Sequence, residues 1–213
     1  MKQVKKLSKP NFKKVLSLLK ELYPDADCAL NFSNPFELLV ATILSAQCTD
    51  IRVNQVTETL FRKYTSVKDF AESDLAELEQ DIKSTGFYRN KALSIQSTAR
   101  DILLKYQGEV PETLEQLIQL KGVGRKTASV VMGNAFGHVE GIVVDTHVSR
   151  LSQRLGLTHA QTPEKIEQEL MRRVEKSDWI LFPHLLISHG RAVCKARKPF
   201  CQGCKLNTLC PTP

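Results

Sequence analysis

Leu120-Lys121-Gly122-Val123-Gly124-Arg125-Lys126-Thr127-Ala128 reads as a turn between two helices, built on a Gly-x-Gly step. Two glycines let such a turn take positive φ and leave its backbone N–H groups uncovered, while the following helix points the positive end of its dipole the same way. A phosphodiester fits that arrangement. The predicted contacts are the backbone of Gly122, Val123 and Gly124 together with Arg125, which hold a nucleic-acid strand without reading its bases. A Walker or dinucleotide loop needs a preceding strand, and the sequence offers none. Leu120, Val123, Thr127 and Ala128 flank the turn with apolar and small residues, which favours a helix-hairpin-helix over a plain helix corner.

Lys126 falls in the first turn of the second helix. A cation is disfavoured at a helix N-terminus, and a neutral lysine amine is a nucleophile. Taken alone, the hairpin favours the plainer role of phosphate clamp. Asp145, in Val143-Val144-Asp145-Thr146-His147-Val148, shifts the balance. An aspartate after an apolar run and before a helix is an N-cap, and the helix N–H groups stabilise a carboxylate there. Set opposite Lys126 by the fold, it is a fixed negative charge facing a developing cation.

Outward from the hairpin the chain is helical. Phe12, Val15, Leu16, Leu18, Leu19 and Leu22 recur at helical spacing from Pro10 to Leu22, with Pro24 as a stop. Asn34-Pro35-Phe36-Glu37 offers an N-cap, a proline at the first position and a glutamate at the third. The helix it opens, Phe36 to about Ala46, is apolar on every side and so is expected at the centre of a core. Asp50 is expected to cap the helix after it, and further helices follow to His189 through short connections with Gly or Pro. Gly141-Ile142-Val143-Val144 is short enough to be a buried connection, and no alternating strand appears. The fold class is all-α.

The 213 residues suffice for one large domain or two small ones, and 30 Lys and Arg against 23 Asp and Glu leave a net charge of +7. That balance favours a polyanionic partner. No apolar run approaches the roughly 20 residues that cross a bilayer, and MKQVKKLSKPNFKK is not a signal peptide, so a cytoplasmic location is expected.

Four of the six cysteines form a C-x6-C-x2-C-x5-C string: Cys194, Cys201, Cys204 and Cys210. The spacing suits a four-thiolate metal site better than disulfides. Between them only Ala196, Phe200, Leu206 and Leu209 are available to bury, so apolar burial alone would hardly order the segment. Arg191, Lys195, Arg197, Lys198 and Lys205 gather around it.

The hairpin with its lysine, the Val-Asp-Thr-His segment and the cysteine string together resemble the endonuclease III family of helix-hairpin-helix DNA glycosylases, over almost the whole chain. The resemblance implies a two-lobed fold. One lobe, residues 27–138, would be a six-helix barrel with the hairpin; residues 1–26 and 139–213 would form a second helical domain holding a [4Fe-4S] cluster on the four cysteines. It implies a monomer that binds double-stranded DNA containing damaged bases or abasic sites, nucleoid-associated in a bacterium. Lys126 would be the nucleophile and Asp145 its partner, excising oxidised pyrimidines and cleaving the strand 3′ to the lesion by β-elimination. Gln47 would fill the gap left by a flipped base, and the loop Thr85-Gly86-Phe87-Tyr88 would wedge the opposite strand. His147, Arg191, Lys195, Arg197 and Lys198 join the expected DNA contacts.

Thr85 departs from the bulky apolar residue expected in the wedge, Lys121 stands where proline is common, and residues 138–141 are about one residue longer than usual. A mismatch adenine glycosylase is a rival within the superfamily, though that branch usually lacks the hairpin lysine. A non-enzymatic, structure-specific DNA-binding protein with a metal-bound tail is the rival from another class.

Overall fold

The structure, a computed structural model, describes residues 8–212. Among them every regular element is a helix, and the chain divides into two compact units, 28–138 and the remainder on either side of it.

The 28–138 unit is built around α2 (Pro35–Ser45), as its apolar sequence predicts: every residue from Phe36 to Leu44 except Glu37 is buried. Asn34 Oδ1 accepts the Glu37 N–H at 2.9 Å, while the Glu37 carboxylate takes the N–H of Ser33 at 2.6 Å, and caps of this kind are worth about 1 kcal/mol each. Then come α3 (Asp50–Lys63), α4 (Val67–Glu72), α5 (Leu75–Asp81), the long α6 (Tyr88–Tyr106), the single turn α7 (Leu114–Leu117) and α8 (Arg125–Phe136). The cap of α3 is Thr49, whose side chain accepts the Arg52 N–H; Asp50, expected in that role, occupies the first helical position. Ser66 and Asp69 close a full capping box on α4, and Asp74 caps α5. Helix α2 packs on α3, α6 and α8, and their buried faces enclose one continuous apolar core.

The other unit joins α1 (Lys9–Leu22) to α9 (Thr146–Arg154), α10 (Pro163–Met171) and α11 (Leu181–Ala192). Helix α11 packs against both α1 and α9. Ile142 is fully buried in the connection before α9, and Leu206 drops from the cysteine segment into the same core, which also includes Phe12, Leu19, Leu151, Phe182 and Leu186. Phe200, counted from sequence among the residues available for burial, stays 64% exposed with its ring laid over Gly203. Leu206, helped by the partly buried Leu209, therefore anchors the segment, and its remaining order must come from elsewhere. Among the described residues no helix is long and apolar enough to cross a membrane.

Candidate active site

The hairpin is fixed to the long helix beside it. Gly122 has φ +78°, and a Cβ there would come within 2.7 Å of Ser94 Cβ on α6, so both backbone conformation and proximity demand glycine. Thr98 Oγ1 of α6 donates to the Lys121 carbonyl at 2.9 Å, securing the turn from the same helix. Lys121 thus serves by its backbone, which a proline would also provide.

Gly124 differs from the expectation of two positive-φ glycines. Its φ is −88°, an extended conformation open to any residue, and a Cβ there would meet nothing within 4 Å. What this glycine contributes is clear space at the start of α8, where no side chain caps the helix. The first N–H groups of a helix lack intrahelical partners, so the spot offers donors and positive dipole to an anion. Val123 buries its side chain and gives its N–H to the Leu120 carbonyl at 3.1 Å, so its part in the turn is to hold it closed. Arg125 and Lys126 are exposed in the first turn of α8.

Two further segments of this unit carry predicted DNA contacts. Gln47, exposed just after α2, has φ +54°; Phe87, 63% exposed just before α6, has φ +49°. Both are left-handed conformations, which cost a non-glycine residue roughly 1–2 kcal/mol. Gly86 precedes Phe87 with φ +70° and ψ 157°, a region essentially reserved for glycine. Thr85 is 2% exposed and donates its hydroxyl to the Ile82 carbonyl. It is a core residue, and Phe87 is the loop's projecting apolar side chain.

In the other unit Asp145 is the N-cap of α9, its Oδ1 accepting the Val148 N–H at 2.7 Å. His184 on α11 lies within its electrostatic reach. Burial pushes the His184 pKa down, Asp27 and Asp145 pull it back up, and Arg191 adds to the depression. His147 sits 3.2 Å from Arg150 Nη2, and that guanidinium also donates to the Cys194 carbonyl. One turn on, Arg154 donates to the carbonyls of Lys195 and Ala196 at 2.8 and 2.9 Å and lies 3.5 Å from Cys194 Sγ. Helix α9 therefore starts at Asp145 and grips the cysteine segment with one face. The sequence reading missed these arginines, although His147, Arg150 and Arg154 recur at helical spacing.

Cys194, Cys201, Cys204 and Cys210 are all half-buried free thiols lining one cavity of about 170 Å³. Among the described residues no three His, Cys, Asp or Glu side chains converge as they would around a single ion. Burial pushes the Cys204 and Cys210 thiols up, and the neighbouring cysteines push them further. His189 Nε2 lies 3.6 Å from Cys204 Sγ, and its Nδ1 lies 3.0 Å from Tyr23 Oη. Arg191, Lys195, Arg197 and Lys198 are exposed around this cavity, and Lys198 has φ +53°. Lys126 belongs to the 28–138 unit, and Asp145, His147 and the cysteines belong to the other.

An all-helical chain with a hairpin shaped for phosphate defines a nucleic-acid-binding class, and the comparisons give it a family. Residues 40–176 match the family described as HhH-GPD superfamily base excision DNA repair protein. The endonuclease III of Synechocystis sp. is 54% identical over 198 residues, covering 93% of this chain and 90% of that protein. A solved non-covalent endonuclease III–DNA complex is 47% identical with a TM-score of 0.90, covering 96% of this chain and 95% of that one. A trapped endonuclease III–DNA covalent intermediate matches with a TM-score of 0.89 at 47% identity, covering 96% of each chain. The chain belongs to the HhH-GPD superfamily of base excision DNA repair proteins, and within it to the endonuclease III family.

Proposed function

We propose that this chain removes oxidised pyrimidines from duplex DNA and cleaves the strand at the resulting abasic site, with Lys126 as nucleophile and Asp145 as its acidic partner. The observation that carries the reading is the exposed amine of Lys126 on the first turn of a helix with no side-chain cap. Phosphate held at that helix start brings the sugar of the same strand toward the amine. The trapped covalent complex of a relative 47% identical to this chain supports a covalent route.

A base stacked in a duplex is out of reach, so the nucleotide must first be extruded, at a cost of a few kcal/mol that a poorly stacked lesion reduces. Gln47 fills the vacated space and Phe87 wedges the opposite strand. The Lys126 amine then bonds to C1′ while the glycosidic bond breaks and the base departs with its electron pair. Asp145 stabilises the cationic sugar, takes the proton that the amine gives up and passes it to O4′ as the C1′–O4′ bond breaks and the nitrogen lone pair forms a C1′=N bond. The resulting Schiff base acidifies C2′–H; loss of that proton expels the 3′ phosphate oxygen and cuts the strand. No step calls on a metal-bound water.

The four cysteines fit a [4Fe-4S] cluster: all four line one cavity, and the thiols of Cys204 and Cys210, pushed up by burial and by the neighbouring cysteines, need a nearby cation to ionise. When bound, the cluster supplies structural order, since four thiolates leave a cubane no open position. Cys194, Cys201, Cys204 and Cys210 would hold it. Arg191, Lys195, Arg197 and Lys198 are then presented to DNA phosphates, along with Gly122, Gly124 and Arg125.

Borohydride reduction in the presence of an abasic-site duplex should trap one covalent adduct, and Lys126→Ala should abolish it. An undiminished adduct in that variant overturns the assignment.

A further inference from the structure

We propose that Lys91 is a positioning residue for DNA insertion: its amine ties the segment bearing Gln47 to the loop bearing Phe87, so that the two side chains enter the duplex as one unit. The proposal rests on the insertion roles given above to Gln47 and Phe87.

Lys91 is only 5% exposed. Its Nζ donates to the Leu44 carbonyl at 2.8 Å and to the Thr85 carbonyl at 2.8 Å. Leu44 lies in the last turn of α2, where carbonyls lack intrahelical partners, three residues before Gln47. Thr85 lies two residues before Phe87, and the Phe87 carbonyl accepts the backbone N–H of Lys91 itself at 3.1 Å. One residue therefore holds the wedge loop by both its backbone and its side chain, and reaches from there to the end of α2.

Gln47 and Phe87 need such a hold. Both keep a left-handed backbone without being glycine, and such conformations persist only where the surroundings over-determine them. Packing does not account for the lysine. Lys91 shares the buried face of α6 with Ala92, Ile95, Ala99 and Ile102, where an unbranched apolar side chain would fill the same space without desolvating an amine. Burial pushes its pKa down and Cys48 opposes the shift. A neutral amine still carries two N–H bonds, so both contacts survive in either protonation state.

The test compares Lys91→Met and Lys91→Gln with Gln47→Ala and Phe87→Ala on two substrates. One is a duplex with an oxidised pyrimidine. The other is a single-stranded oligonucleotide with an abasic site, which has no opposite strand to wedge and no stacked base to replace. With two buried carbonyls left without donors, Lys91→Met should lose about tenfold to a hundredfold in duplex excision while borohydride trapping on the single strand stays within about threefold. Lys91→Gln retains one donor group and should fall between; it carries the comparison if Lys91→Met does not fold. Absence of a duplex-selective loss in Gln47→Ala and Phe87→Ala overturns the insertion reading itself. If those two variants show the loss, a Lys91 variant that loses nothing, or that loses equally on both substrates, overturns the clamp.

Discussion

Gly122→Ala tests the hairpin most directly, because two separable penalties fall on one methyl group. The first is conformational: at φ +78° an alanine is about 1–2 kcal/mol less favourable than glycine. The second is steric: the new Cβ would meet Ser94 Cβ and Oγ, each at 2.7 Å, and since a Cβ cannot rotate away, α6 or the turn must shift. Overpacking of this kind costs about 1–3 kcal/mol, so the variant should be about 2–5 kcal/mol less stable than the parent. Ser94→Gly separates the two parts. It removes both close atoms, leaving Ser94 Cα at 4.0 Å in ordinary contact, and by itself costs about 0.5–1 kcal/mol for a glycine inside a helix. The double variant should accordingly exceed additivity by roughly the steric part, about 1–3 kcal/mol.

Gly124→Ala is the counterpart. Its φ of −88° and empty surroundings predict a change in stability within about 0.5 kcal/mol. The methyl group would nevertheless stand beside the amides at the start of α8, so affinity for an abasic-site duplex should fall. Denaturant unfolding of the four variants and titration of labelled duplex measure both effects. Wild-type stability in Gly122→Ala, or strict additivity with Ser94→Gly, would refute the close-approach account; undiminished DNA affinity in Gly124→Ala would refute phosphate binding at the helix start.

Asp145→Asn keeps an oxygen for the Val148 N–H, and asparagine caps as well as aspartate does, so thermal stability should hold while turnover on lesion DNA drops about a hundredfold or more; a variant that simply unfolds would leave only the capping role. Removing iron with a chelator under reducing conditions should expose amides 194–210 to hydrogen exchange while those of α2 and α8 keep their protection, because apart from Leu206 little of that segment is fully buried. His184 should make stability acid-sensitive. Its folded pKa lies below the unfolded value near 6.5, so the folded state binds fewer protons; the contribution is complete above 6.5 and is lost as pH falls from there through the folded pKa. His184→Gln should flatten that part of the stability–pH curve, and an unchanged slope would count against a neutral, half-buried His184.

The elements that sequence reveals are those whose cause is local. Helix α2 announces itself because a helix apolar on every side has nowhere to go but a core, and the Asn34 and Asp145 caps act within three residues of themselves. The cysteine spacing also foretells four thiols at one cavity, although distant residues such as Arg154 and His189 complete its wall. What could not be read is what depends on a distant partner. That Gly122 must be glycine follows partly from Ser94, 28 positions earlier, and Gly124 looks identical to it in sequence yet has a different conformation and a different use. Thr85 passes for a wedge residue until the Ile82 carbonyl and the core claim it. Lys91 lies on an apolar helical stripe, a legible oddity, but its purpose depends on a carbonyl 47 residues away.

Backbone strain sorts these residues in a way that side-chain chemistry does not. Among the described residues, non-glycine positive φ occurs at Gln47, Phe87, Gln107 and Lys198. Gln107 ends α6, with its N–H and that of Gly108 both returning to the Ile102 carbonyl, so a helix terminus explains it. No helix terminus of that kind explains Phe87, which begins a helix rather than ending one, or Lys198, which precedes Pro199, a position that favours extended backbone. Glycine would relieve the strain at each site, but it would remove the amide of Gln47, the ring of Phe87 and the charge of Lys198. Retaining those side chains at an unfavourable backbone angle makes sense if the side chain is what the position is for. Two of these positions are joined through Lys91, and the third lies in the segment gripped by Arg154. Each of the strained residues proposed to meet DNA thus has, close by in its own unit, a buried or half-buried cation hydrogen-bonded to backbone carbonyls of the same segment.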